Sequence, residues 1–496
     1  MMNKIHFNQS GPSFPSGLSG AFSLSGLIVF LLTFLVFFHA NAAPLPSPAP
    51  RPYTPRIREV TVPPLIELPA PPESLPDVPN KPLTAGEAAR IALTHQADVT
   101  IAHSNLAGAQ ARTLEARSGE RPSIGVAAGY SSVNAPSSGS GGGGSQAFIG
   151  ANGGSTAAYN GYQINASVRQ LLFDFNHTRA VVRRAMEQEN AAAAALTRVE
   201  ADLVLQVKMA FFIGVQNARL VTVLEKNLEN QKTHLLLARE RFNAGVGLPS
   251  DVVRAETAVS DAVFNLTQAR SNTAISRVNL AVYMGIDPRT PLQFSEESEP
   301  DVESGDANAL FDLALRNRPE IKEVAAALKA SESSLKAART SNAPTVSGSV
   351  GWLGRDNTFP PATGALSTGV TMQWSPFDGG LTPGLVHEAA AARSGAEAQL
   401  EKTRQDVLSD VARAYLVLQT ARQRLDTAEA EVSNAQEALR LIEGRYQAGV
   451  GLMLEVLDAQ NALLTARTNR VNAQSALDQA NAALARAIGL GLSSSR

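Results

Sequence analysis

Two octapeptides constrain this chain more than any other feature. Residues 241–248 read RFNAGVGL and residues 445–452 read RYQAGVGL, identical at six of eight positions and 204 residues apart (445 − 241). The same offset aligns Phe173-Asp174 with Phe377-Asp378 and Met284-Gly285 with Ile488-Gly489, so the stretch from Phe173 to Gly285 repeats without a gap. Upstream the offset becomes 222, with Leu93 on Leu315 and Pro122 on Pro344. The difference, 222 − 204 = 18, lies between Pro122 and Phe173 in the first copy, where residues 137–145 read SSGSGGGGS. Insertions settle where backbone is exposed and unconstrained, and this composition is that of a flexible loop. Only two units are present, so the chain is a duplicated fold and not a solenoid.

Each copy reads as helix, strand, loop, strand, long helix, sharp turn and return helix. In the second copy Val407, Val411, Ala414, Leu418, Ala421, Leu425, Ala428, Val432, Ala435, Leu439 and Ile442 alternate spacings of four and three, the pattern of a coiled-coil seam. The first copy places Gly214, Asn217 and Gln231 on its seam, so its packing frame is expected to drift. The long helices span about 178–243 and 383–447, which at 1.5 Å per residue is roughly 100 Å, too long for a compact domain. The helices before the strands (near 84–119 and 308–341) and after the turns (near 250–285 and 455–489) are each about half as long. Placed end to end, two halves match one long helix and build a cylinder wall.

The strands show period two. Apolar faces fall on Ile124, Val126, Ala128 and Tyr130; on Tyr162, Ile164, Ala166 and Val168; on Val346, Val350 and Trp352; and on Val370, Met372 and Trp374. Membrane barrel strands look like this, with aromatics near their ends, although a soluble hairpin with one buried face gives the same alternation. Lipid tolerates no unpaired strand edge, and barrels begin at about eight strands. Strands lying in a membrane would therefore come from several chains sharing one barrel.

The N-terminus supports export. Residues 27–38 read LIVFLLTFLVFF, with Lys4 upstream and Ala40-Asn41-Ala42 downstream. This is the form of a signal peptide, too short to span a bilayer. Half of the 28 prolines lie between Pro44 and Pro82, which forbids helix and sheet there. The expected organisation is a signal peptide over 1–42, an extended Pro-rich segment over 43–82, the first repeat over 83–285, an acidic linker over 286–307, the second repeat over 308–490 and a tail over 491–496. A net charge of −2 and the lack of basic, aromatic-interleaved patches argue against nucleic acid as a partner. No cysteine is present, and His95, His103, His177, His234 and His387 are scattered without metal-ligand spacing. Neither an enzyme nor a cofactor or metal site is expected.

These residues resemble the TolC-like outer-membrane efflux family over about 83–490. The resemblance rests on LTAGEAARIAL at 83–93, the paired RFNAGVGL and RYQAGVGL turns, Glu455-Val-Leu-Asp-Ala459 and the duplication. It implies an α+β membrane protein: a homotrimer with a twelve-stranded shared barrel in the outer membrane and a coiled-coil tunnel in the periplasm. It further implies a passive exit duct of tripartite efflux or type I secretion, docked through a periplasmic adaptor (membrane fusion protein) onto an inner-membrane pump. A periplasmic coiled-coil adaptor without a barrel is the alternative.

Glu455 and Asp458 share one helix face at i, i+3 and open the return helix, where the macrodipole alone would favour carboxylates. The resemblance instead makes them an acidic ring narrowing the tunnel. The corresponding first-copy pair is Asp251 and Arg254. By the same resemblance Tyr446 and Asp251 match partners of a tip latch, with Arg254 a further candidate, while the basic residue expected after the second turn is Gly451. The turns, with Arg241, Gly245, Gly247, Arg445, Gly449 and Gly451, would contact the adaptor. All four glycines are expected to supply positive φ.

Overall fold

The repeat offset reappears in the helix ends. Long helix α3 runs His177–Asn243 and its counterpart α7 runs Leu381–Gln447; return helix α4 runs Pro249–Tyr283 and its counterpart α8 Met453–Ala487. All four boundaries are displaced by 204 residues. The computed structural model describes residues 61–64, 81–133, 159–296, 298–299 and 307–490. The chain divides into units 1–58 and 59–496, and everything below concerns the second. The signal peptide, most of the Pro-rich segment, the loop at 137–145 and the tail at 491–496 lie outside the described residues.

The helices that precede the strands are each broken in two, which the sequence reading missed. They are α1 (Ala85–His95) with α2 (Ala97–Ser118), and α5 (Ala307–Asn317) with α6 (Pro319–Arg339). The breaks fall at Gln96 and Arg318, whose ψ values of 129° and 125° are extended. At Arg318 the following proline excludes the helical region. At Gln96 no proline is present, and the side chain itself accepts from Ala97 N–H at 2.9 Å. Each break is braced by the glycine that ends a return helix. A Cβ on Gly285 would lie 2.8 Å from the His95 carbonyl oxygen, and one on Gly489 2.8 Å from Asn317 Cβ.

Strands β1 (Ser123–Val133), β2 (Tyr159–Phe173), β3 (Thr345–Asp356) and β4 (Gly364–Gln373) form one antiparallel sheet in the order β1-β2-β3-β4. Its register joins the two repeats through β2 and β3. Entry from the strands into the long helices uses the same device twice. Asp174 accepts from Thr178 N–H at 2.6 Å and Asp378 from Thr382 N–H at 2.8 Å. The two residues after each aspartate are left-handed: Gly379 and Gly380 in the second copy, Phe175 and Asn176 (φ 55° and 69°) in the first.

Every predicted seam residue of α7 is buried or half-buried. The rougher seam of α3 has a physical cause, because α3 packs on more neighbours: α4, α6, α2, α8 and α1. Gly214 leaves room for the ring of Phe294, which comes from the linker and packs edge-on to Phe211. Asn217 donates to Ser276 Oγ at 2.7 Å. One α3 stretch is long and apolar enough in composition to cross a membrane. Its Val207, Phe211, Phe212 and Val215 instead fill the core beside Leu280, Met284 and Leu292.

The linker between the repeats is pinned. Ser295 N–H donates to Leu83 O at 2.9 Å, Arg219 donates to the Glu296 carbonyl at 3.0 Å, and Lys208 pairs with Glu299 in a buried ion pair. Asp478 of α8 is buried nearby, and burial pushes its carboxyl up to about 6, against the lowering influence of Gln474 and Arg219. The folded value exceeds the ordinary 3.8, so this group favours folding at low pH and that contribution is lost as pH rises from about 4 through about 6, by at most about 3 kcal/mol. The melting midpoint of the detergent-solubilised protein should therefore fall between pH 5 and 7.5 partly through this residue. Asp478→Asn should flatten that segment of the curve; an unchanged slope would remove Asp478 as its source.

Candidate functional site

The two repeated octapeptides form the turns at the far end of the long helices, and each turn is built from its own backbone. Val246 and Gly247 N–H both donate to Arg241 O at 3.0 Å while Gly245 N–H donates to Phe242 O at 3.0 Å; in the second copy Val450 and Gly451 donate to Arg445 O at 3.1 Å and Gly449 to Tyr446 O at 3.1 Å. This pattern closes a helix on a left-handed residue. Of the four turn glycines, only Gly245 (76°) and Gly449 (79°) have positive φ. Gly247 and Gly451, expected to share that need, are glycine for another reason. A Cβ there would lie 2.8 Å from Phe242 N and 2.9 Å from Tyr446 N, respectively. Any side chain at position 451, basic or not, would require the turn to shift.

A shared core lies directly behind both turns. Ala238, Val252 and Ala255 of the first hairpin pack with Leu439, Tyr446, Met453, Val456 and Leu463 of the second. Within it, the guanidinium carbon of Arg241 sits 4.3 Å from the ring centroid of buried Tyr446, and Arg241 Nη2 donates to Gln447 O at 3.3 Å. Two helical turns along α3, His234 Nε2 lies 3.5 Å from a Glu443 oxygen. Burial holds the His234 imidazole below its usual range, with Glu443 opposing that shift. These are ties between the two hairpins, and neither was read from the sequence. The duplication was the available signal: positions 241 and 445 are equivalent, so identical arginines with different neighbours must act differently.

The carboxylates are not equivalent either. Glu455 is half-buried and one of its oxygens lies 3.7 Å from Arg445 Nη1 across the turn. Asp458, one helical turn further, is exposed. Asp251 is half-buried at the start of α4 and Arg254 exposed. Among the described residues Asp251 and Tyr446 share no hydrogen bond, and Arg241 occupies the ring.

At the opposite end, the sheet brings the four apolar faces into one. Tyr130 pairs with Tyr162, Val126 with Ala166, and Ile124 with Val168. Across the next ladders Ala166 pairs with Trp352 and Val168 with Val350, and Trp352 pairs with Leu366. Ile124, Val126, Leu366 and Val370 are each at least 70% exposed, so the face is an uncovered apolar surface. Among the described residues strands β1 and β4 have no further strand partner and form the sheet's edges.

A family model described as outer membrane efflux protein matches residues 88–286 and 310–490. The chain belongs to the outer membrane efflux protein family. Within this family of outer-membrane proteins, Protein CyaE of Bordetella pertussis is 27% identical over 306 residues, which cover 60% of this chain and 65% of CyaE. The probable efflux pump outer membrane protein TtgC of Pseudomonas putida is 26% identical over 305 residues, 59% of this chain and 61% of TtgC. The chain thus spans less than two thirds of either relative. In fold it is similar to the outer membrane protein VceC of Vibrio cholerae, with a TM-score of 0.70 at 20% identity over 82% of this chain and 96% of VceC. The efflux family assignment and the VceC-like fold agree with the resemblance read from the two turns.

Proposed function

We propose that the chain is one of three identical subunits of an outer-membrane channel. Its long helices would cross the periplasm and its two turns would dock on a periplasmic adaptor leading to an inner-membrane pump. The observation that carries this reading is the sheet. It carries an exposed, largely apolar face while neither edge has a strand partner among the described residues, a combination that is stable only when lipid covers the face and neighbouring strands cover the edges. Four strands cannot close, whereas three copies supply twelve. A coiled-coil adaptor without a barrel has no use for such a surface. In the trimer the exposed Asp458 carboxylates, and Glu455 beside Arg445, would ring the narrow periplasmic end. The channel would be a passive duct, with energy supplied by the pump, in efflux or type I secretion.

Mass measurement of the detergent-extracted protein should give three times the mature chain, recovered from the outer-membrane fraction. A stable monomer in the soluble fraction would refute the reading.

A further inference from the structure

The polar face of the sheet carries fixed charge of one sign. Between Pro122 and Phe173 the only charged residue is Arg169, and between Pro344 and Phe377 the only ones are Arg355 and Asp356. Register sets Arg169 opposite Ser123 and Ser349, and Arg355 opposite Gln163. Strand alternation therefore puts both arginines on the face of Asn165, Ser167, Gly351 and Ser367, away from the apolar face of Val168 and Val350. Both are exposed, and neither has a carboxylate partner among the described residues. Asp356 falls on the other face, and its oxygens are engaged by the N–H groups of Asn357 at 2.7 Å and Ala362 at 3.1 Å, which closes the β3–β4 loop. Gln163 and Arg169 are six residues apart on β2, so the two guanidinium levels are separated by roughly 20 Å along the strand.

We propose that Arg169 and Arg355 form two tiers of guanidinium groups in the barrel lumen and make the barrel section select for anionic solutes, those bearing carboxylate or phosphate groups. This rests on the channel reading above. With the apolar face in lipid, the arginine face must line the pore. Symmetry would turn each position into a ring of three, with no carboxylate on that face of the strands. Guanidinium is always charged, is more weakly hydrated than ammonium and matches planar oxyanions with two donors. Rings of such groups at a low-dielectric wall concentrate anions and set selectivity. The barrel and the acidic tip would then oppose each other in series, so a cargo must present anionic groups to the barrel yet pass a carboxylate ring.

The test is the reversal potential of single channels in planar bilayers under a potassium chloride gradient. It is made in a Glu455→Gln, Asp458→Asn background, which removes the tip's field. That background should be anion-preferring. Adding Arg169→Gln and Arg355→Gln should reduce the chloride-to-potassium permeability ratio by about threefold, while Arg169→Lys with Arg355→Lys should keep it. Each glutamine singly should give part of the shift, which secures the result should the combined variant assemble poorly. Conducting channels whose reversal potential ignores the glutamines would overturn the proposal and leave the channel reading standing. Failure of the wild type to form any channel would overturn both.

Discussion

In the proposed channel, replacing Asp458 with asparagine is expected to lower cation preference more than replacing Glu455 with glutamine. Both residues open α8 on one face, but their surroundings differ. Glu455 already has Arg445 at 3.7 Å across the turn, whereas Asp458 is exposed. A carboxylate beside a guanidinium projects a reduced field, so in the proposed channel Asp458, with no charged partner among the described residues, would dominate what a passing ion meets. The double variant should change the potassium-to-chloride ratio by about threefold and weaken block by multivalent cations. Arg445→Ala should act in the reverse direction by releasing Glu455. A purely structural role at the helix N-terminus predicts something else: about 0.3–1 kcal/mol of lost helix stability and an unchanged reversal potential. Measurements under a salt gradient separate these, and equal effects of the two single variants would contradict the assigned difference between them.

Sequence periodicity made the helices and strands legible because both report burial directly. The α7 seam appears in the sequence as an unbroken alternation because that helix has a simple surround. On α3 the same code is overwritten by long-range packing: Gly214 answers to Phe294, eighty residues away, and only the folded chain shows why a glycine interrupts the seam. The breaks at Gln96 and Arg318 illustrate another limit. Pro319 announces the second, but the first depends on the approach of Gly285 to the His95 carbonyl, a contact with no local signature. The tip followed the same pattern. Its glycines were evident, yet only two of the four meet a demand on φ. The other two meet a demand for space, which depends on where the preceding helix lays its backbone. The arginine tiers needed register, since alternation within one strand does not say which residues of the next strand share its face.

Removing the Arg241 side chain is expected to be the most disruptive single change at the tip that leaves the turn itself intact. The backbone carbonyl of Arg241 receives the two N–H groups that close the first turn, and alanine keeps that carbonyl. The side chain instead reaches the second hairpin, stacking on Tyr446 and donating to the Gln447 carbonyl. A cation over a buried aromatic ring contributes about 0.5–2 kcal/mol, and a charged donor to a carbonyl adds a similar amount. If the narrow end opens by separating the hairpins, three copies losing about 1 kcal/mol each shift the open-to-closed ratio roughly a hundredfold. Arg241→Ala channels should then show a larger or longer-lived conducting state in planar bilayers, and Arg241→Lys an intermediate one, since lysine keeps the charge but loses the planar fork. Arg445→Ala provides the internal control. It alters the equivalent position of the second copy, whose side chain faces Glu455 within its own hairpin, so it should move selectivity and leave opening alone. Conductance and dwell times identical to wild type in Arg241→Ala would mean that the shared core of Val252, Leu439, Met453 and Val456 holds the hairpins together without help from the arginine.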